Sequence, residues 1–461
     1  MPWVNDIHSA LNPTEVAAIL RPSSVDEVIR IVRHGGVISI TGARHAMGGQ
    51  QFGTGTTLLD LSGLDRVIGL DAERGIIEVE AGIQWPALVA WLVEQDSKWG
   101  VIQKQTGADR LSLGGALSAN IHGRGLEMKP LVDHIESFEL VNFSGALVRC
   151  SREENEALFG LAIGGYGLFG VIVRIRLRLG RRQRLERLVE ITSVERLITD
   201  FARQRAAGCV YGDFQFMTDE TSPLFMREGV FSCYRIVDHD DPAERERDAI
   251  RELDAKEWRR LYHLSHTDRA ELYRVYAEFY RSTHRQRYWS DTHQLSLYLD
   301  DYHHQLDADM SAAVPGSEMI SELYVPRSVL VEFCLAAREE LRRRQTPVIY
   351  GTIRLIERDD ETVLAWAREP WACIIFNLCV RHDAAGITAA RDCFRALITV
   401  ASSFGGSYFP TYHRWAQKEQ VERCHPRFVE FLKAKRQFDP QERFQSDWYR
   451  HYRDMFAAEL H

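Results

Sequence analysis

Lysine is scarce in this 461-residue chain: only seven of its 57 basic residues are Lys. Acidic residues outnumber basic ones, 65 to 57, and the net charge of −8 argues against a nucleic-acid partner. No stretch of 18 apolar residues occurs, so no membrane span is expected. The opening Met-Pro-Trp-Val-Asn-Asp has neither a basic nor an apolar segment, so no signal peptide is expected and a cytoplasmic location is the default. The eight cysteines (150, 209, 233, 334, 373, 379, 393, 424) form no C-x-x-C pair and sit in apolar surroundings, which predicts free buried thiols rather than a disulfide framework. Internal repeats and low-complexity segments are absent. No G-x-G-x-x-G follows a first strand, which argues against a Rossmann domain.

What is present is soluble and globular in kind, with 45% hydrophobic and 26% charged residues. The length predicts two domains. Short strands (37–40, 58–61, 76–80, 138–141, 146–148, 171–179) mix with helices after Ser24 and over 85–93, giving an α+β class. Ser24 with Glu27 reads as a capping box. Ser144-Gly145 reads as a hairpin turn. Arg174, Arg176 and Arg178 alternate with apolar residues, so one face of that strand is wet.

Three Gly-rich turns dominate the first 180 residues. They are Ser39-Ile-Thr-Gly-Ala-Arg-His45-Ala-Met-Gly-Gly49, Ser112-Leu-Gly-Gly-Ala-Leu-Ser-Ala-Asn120-Ile-His122-Gly123 and Gly164-Gly-Tyr-Gly-Leu-Phe-Gly170-Val-Ile172. Glycine permits positive φ and close approach of the backbone to a ligand. Successive N–H groups in such turns form concave anion sites. Three in order suggest a large phosphate-bearing cofactor.

These turns resemble the FAD-binding domain of the vanillyl-alcohol oxidase and para-cresol methylhydroxylase superfamily, over roughly residues 15–180. The resemblance implies an FAD-linked two-domain fold, with FAD held by Thr41, Gly42, Ala43, Arg44, His45, Ala46, Met47, Gly107, Ser112, Gly114, Gly115, Ser118, Asn120, His122, Gly123, Gly170 and Ile172. It also implies covalent attachment of the flavin through His45, although Arg44 and Ala46 replace the usual Gly and Ser. The other reading of His45 is a side chain packed beside the flavin without a bond. His122 is either near the diphosphate or ring, or a structural hydrogen-bonder. No Cys lies between Gln103 and Gly115, so at most one covalent bond is expected.

The charged run Gly180 to Arg187 is either a domain boundary or a solvated strand end. The expected division is 1–182 for FAD, 183–405 for substrate, and 406–461 returning to the FAD domain. The segment 238–290 reads as amphipathic helices with an aromatic core stripe, a substrate-lining tyrosine being the alternative. Further on, the Gly351-Thr352-Ile-Arg354 strand resembles the L-gulonolactone oxidase and alditol oxidase group, with Thr352 where that group has Glu. Tyr412-His413-Arg-Trp415-Ala-Gln-Lys418 resembles its His-Trp-x-Lys motif, imperfectly spaced. The resemblance implies oxidation of a CH–OH group of a polyol, sugar or aldonolactone, with O₂ as acceptor. An amine, phenol or lipid-linked sugar dehydrogenase and a non-catalytic flavin-binding protein are the alternatives.

Strand alternation puts Tyr350, Thr352 and Arg354 on one face. Arg354 stays protonated and suits a developing alkoxide, while His413 or Lys418 is the expected base. No metal is expected: Asp300-Asp301 and His303-His304 read as a solvated helix face.

Overall fold

Ser24 begins the first long helix, Val25–His34, by accepting a hydrogen bond from the Glu27 N–H at 3.3 Å. The expected reciprocal bond is displaced by one residue, because the Glu27 carboxylate accepts from the Ser23 N–H at 2.8 Å. Gly35, at φ 93°, ends the helix in a conformation that side chains resist. The helix buries Val28 and Val32 against Ile38, Leu59, Val141 and Val171. The computed structural model describes residues 1–237, 251–296, 299 and 302–460.

The class is α+β, as expected. A three-stranded parallel sheet orders Ala18–Leu20, Thr57–Asp60 and Ile38–Thr41. Beside it stands a five-stranded antiparallel sheet, ordered Leu147–Cys150, Ile135–Val141, Val171–Arg178, Ile76–Glu80 and Val67–Asp71. The hairpin turn forms as expected, with Gly145 at φ 76° and its N–H on Asn142 O. Arg174, Arg176 and Arg178 do line a wet face, each facing a glutamate: Glu139, Glu78 and Glu136. The Val67–Asp71 strand carries a bulge and exposed residues, so its sequence gives little alternation to read.

Gly180–Arg181 pairs back onto Trp99–Gly100, and Arg184–Ser193 then enters an eight-stranded antiparallel sheet. Its order is Arg287–Trp289, Arg184–Ser193, Glu228–Val237, Cys209–Phe216, Val348–Ile356, Trp371–Arg381, Gly316–Pro326 and Ser407–Tyr408. The Ser407–Tyr408 edge leads into helices that pack on the N-terminal sheets. There Ile38 N donates to Arg443 O at 2.7 Å and Gln445 N to Ile38 O at 2.8 Å. Phe444, fully buried, joins the core under the first helix. All eight cysteines are free, and all but Cys379 are buried. Among the described residues no helix is long and apolar enough to cross a membrane.

Candidate active site

The three Gly-rich turns meet on one wall of a cavity of about 1120 Å³. Thr41, Gly42, Ala43, Arg44, His45, Ala46 and Met47 line it, with Gly107, Ser112, Gly114, Gly115, Ser118, His122, Gly170 and Ile172. Arg44 is at φ 62°, in the left-handed region that gives a turn its concave row of N–H groups. Turns one and two touch: a Cβ on Gly42 would stand 2.1 Å from Ser112 Oγ. Gly170, at φ 149°, leaves only 2.0 Å between such a Cβ and Leu140. A cradle this close, this large and this rich in backbone donors fits a flavin dinucleotide.

Two expected cofactor residues stand behind the wall. Asn120, at φ 49°, caps the Leu113–Ala119 helix, donates to Asp359 at 3.0 Å and accepts from Val132 N. Gly123 offers its carbonyl to Arg354 and its N–H to Gln103. Both are buried joints between the turn and neighbouring elements. Neither lines the cavity.

His45 faces the cavity, with His8 Nε2 2.7 Å from its Nδ1. Burial, with His8 alongside, pushes its pKa down to about 3, so the ring is neutral. Burial does the same to His413, to about 4, and to His425, to about 3. Each binds a proton near pH 6.5 once unfolded but not while folded. Their stabilisation is therefore complete above pH 6.5 and is lost progressively as pH falls from there toward the folded values of about 3 to 4. Below about pH 6.5, stability should drop by up to about 1.4 kcal/mol per pH unit for each histidine. Urea melts compared at about pH 7 and about pH 5 check this. An unchanged midpoint would mean that these rings are protonated in the fold.

The opposite wall is the eight-stranded sheet. Register sets Gln215, Thr352, Ile375 and Glu322 side by side on successive strands. All four line the cavity, as do Tyr350 and Arg354. Alternation along Val348–Ile356 thus works as the sequence suggests. Thr352 Oγ1 is buried. Arg354 donates to Thr106 Oγ1 at 2.5 Å and, weakly, to Gly123 O at 3.4 Å. Its Nε is buried without a partner, and among the described residues no carboxylate neutralises it.

His413 and Lys418 do not join Arg354. His413 lies off the cavity, stacked on Trp415 at 4.3 Å between ring centres. Lys418 sits at the start of the Lys418–Cys424 helix, half-exposed and paired with Glu459, which raises its pKa. A base needs the opposite shift and access to the cavity.

A wall residue that the sequence concealed is the buried carboxylate Glu322. His122 Nε2 is 2.7 Å from its Oε1, Tyr412 donates to Oε2 at 2.9 Å, and Tyr324 donates to Oε1 at 2.5 Å. Burial alone would raise the Glu322 pKa. His122 and these donors outweigh it and hold the carboxyl below its ordinary value. His122 is therefore both a wall residue and a hydrogen-bonder.

The aromatic helices also face inward: Trp258, Tyr262, Tyr273, Tyr276 and Tyr280 all line the cavity. The charged stretch 238–248 and Asp300-Asp301 lie outside the described residues.

Residues 16–151 match the family model described as an FAD binding domain. The chain thus carries an FAD-binding domain, consistent with the vanillyl-alcohol oxidase and para-cresol methylhydroxylase superfamily of flavoproteins. Among its relatives is cytokinin dehydrogenase 4 of Oryza sativa subsp. japonica, 26% identical over 231 residues, 47% of this chain and 39% of that protein. Cytokinin dehydrogenase 5 of Arabidopsis thaliana is 29% identical over 188 residues, 38% of this chain and 34% of that protein. The mitochondrial L-galactono-1,4-lactone dehydrogenase 1 of Oryza sativa subsp. japonica is 30% identical over 129 residues, 28% of this chain and 21% of that protein. The matches span well under half the length of these relatives.

Proposed function

We propose that the chain is an FAD-dependent oxidoreductase that oxidises a CH–OH carbon of a polyol, sugar or aldonolactone, with O₂ as acceptor. The observation that carries this reading is Arg354: a buried guanidinium on the cavity wall, without a carboxylate partner among the described residues. Such a charge favours an oxygen that becomes negative and disfavours a cationic donor. FAD, when bound, supplies the two-electron acceptor. Thr352 and Arg354 hold the substrate hydroxyl, and Glu322 takes its proton. Tyr412 and Tyr324 keep that carboxylate oriented. The tyrosine-lined wall suits a polar, ring-shaped or chain-like substrate.

A panel of polyols, sugars and lactones, mixed anaerobically with the protein, tests the reading. Bleaching of the flavin by a member supports it, and admission of air then reports on O₂. A second reading, amine oxidation, is favoured by Asp213, whose Oδ1 is buried on the cavity wall with no hydrogen-bond partner among the described residues. An amine donor would fit that oxygen. Bleaching by amines alone would establish the second reading over the first.

Covalent attachment through His45 belongs to the same proposal. Its ring is neutral, faces the cavity and is oriented by His8. Acid-precipitated protein is expected to keep its yellow colour in the pellet. The His45→Ala protein should release all its flavin to the supernatant, yet still bind free FAD, because the backbone N–H groups remain. Colourless wild-type pellets would show that the flavin is held without a bond.

A further inference from the structure

A second polar cluster borders the cavity, and it has no part in the reaction described above. His266 comes from the last turn of the Ala255–Thr267 helix, His303 from the first turn of Tyr302–Asp309, and Glu318 from the Gly316–Pro326 strand. His266 Nε2, His303 Nε2 and Glu318 Oε1 all lie within 4.8 Å of one another. All three atoms are buried; the imidazole nitrogens make no hydrogen bond of ordinary length, and both rings and Tyr302 act on the Glu318 carboxylate, holding it well below its ordinary pKa. The two imidazole rings are perpendicular, at 90°.

The distances discriminate between two explanations. Each Nε2 stands 3.5 to 3.6 Å from the carboxylate oxygen. That is too long for a hydrogen bond, whose donor–acceptor range is about 2.7–3.2 Å. It is close to the separation of two ligands on one ion: bonds of about 2.0–2.2 Å at tetrahedral angles put ligand atoms about 3.3 Å apart. The second carboxylate oxygen, Oε2, accepts from Asn377 Nδ2, the kind of outer support that fixes a ligating carboxylate. The other His/Glu/Cys group in this cavity behaves differently. Around Glu322 the ligand atoms are already joined by hydrogen bonds, His122 at 2.7 Å and Cys373 at 3.4 Å, so nothing is left for an ion.

We propose that His266, His303 and Glu318 bind one divalent transition-metal ion of the Zn²⁺ class. His303 and Glu318 line the cavity, so the remaining coordination positions open toward it, for water or an oxygen ligand. The three ligands are 37 and 15 positions apart in sequence, with no recognisable metal-ligand spacing.

The test uses the full-length, flavin-loaded protein prepared without a polyhistidine tag, stripped with chelator and titrated calorimetrically with Zn²⁺. One saturable equivalent per chain is expected. His303→Gln and Glu318→Gln should each weaken it by more than about 10²-fold, since even an outer-shell partner is worth about 10–100-fold. Asn377→Ala should fall within that outer-shell range, and His34→Gln, on the surface, should leave binding unchanged. Should a variant fail to fold, Co²⁺ added to the stripped wild-type protein gives an independent readout. Intensified visible bands of a low-coordinate site support the proposal. A spectrum that stays that of the aqua ion overturns it, as does wild-type Zn²⁺ binding that is absent or unaltered in both ligand variants.

Discussion

Arg354→Ala is expected to slow anaerobic flavin reduction by about 10²–10³-fold, the usual effect of deleting a preorganised charge-stabilising donor. The size follows from its setting. The guanidinium is 5% exposed, and among the described residues no acid offsets its charge. Its strongest bond is to Thr106, a neutral hydroxyl. Little of its field is therefore spent on the protein, and most acts on the cavity. Because Arg354 reaches no glycine turn except through the Gly123 carbonyl, the flavin spectrum should stay nearly unchanged. Glu322→Gln should also slow reduction, and should abolish the acid limb expected of the wild type, which the depressed Glu322 pKa places below the ordinary carboxylate range. Stopped-flow traces with a good substrate check both. An Arg354→Ala protein that reduces at the wild-type rate would make Arg354 structural and remove the main support for a hydroxyl donor.

The largest expected loss of stability comes from Asp439→Ala, about 3–5 kcal/mol. Lys435 and Asp439 are both fully buried and pair one helical turn apart. Asp439 also accepts from the N–H groups of Arg443, at 3.0 Å, and Phe444, at 2.8 Å. Removing the carboxylate leaves a buried ammonium unpaired and two backbone donors orphaned. The segment it organises carries the bonds to Ile38. Replacing both charges together, Lys435→Met with Asp439→Asn, should restore much of the loss, because the unpaired charge is gone. Urea unfolding of the three proteins measures this. Equal losses in single and double variants would mean that the backbone donors, not the charge, dominate.

The residues that were legible in the sequence are those whose type reports a backbone requirement. Gly42 and Gly170 announce their turns because a side chain there collides with Ser112 or Leu140. Arg354 was legible through the two-residue period of its strand. Glu322 was not, because in Glu322-Leu-Tyr-Val it resembles any strand residue, and its partner His122 lies 200 positions away. His413 and Lys418 are not brought to Arg354, because a motif with loose spacing fixes no geometry. The folded chain instead stacks the first on Trp415 and pairs the second with Glu459. The tyrosines of 255–282 have the pattern of a core stripe, and sequence alone does not say that the surface they face is hollow.

One cavity, walled on one side by turns from the first 172 residues and on the other by the eight-stranded sheet, makes its occupant a thermodynamic cross-link. A ligand held by both walls must be released before either opens. At about a hundred times its dissociation constant it adds about 2.7 kcal/mol to the folded state. With it in place the two walls lose their structure together. Without it, the coupling falls to the shared core and to direct joints such as Asn120 to Asp359 and His122 to Glu322.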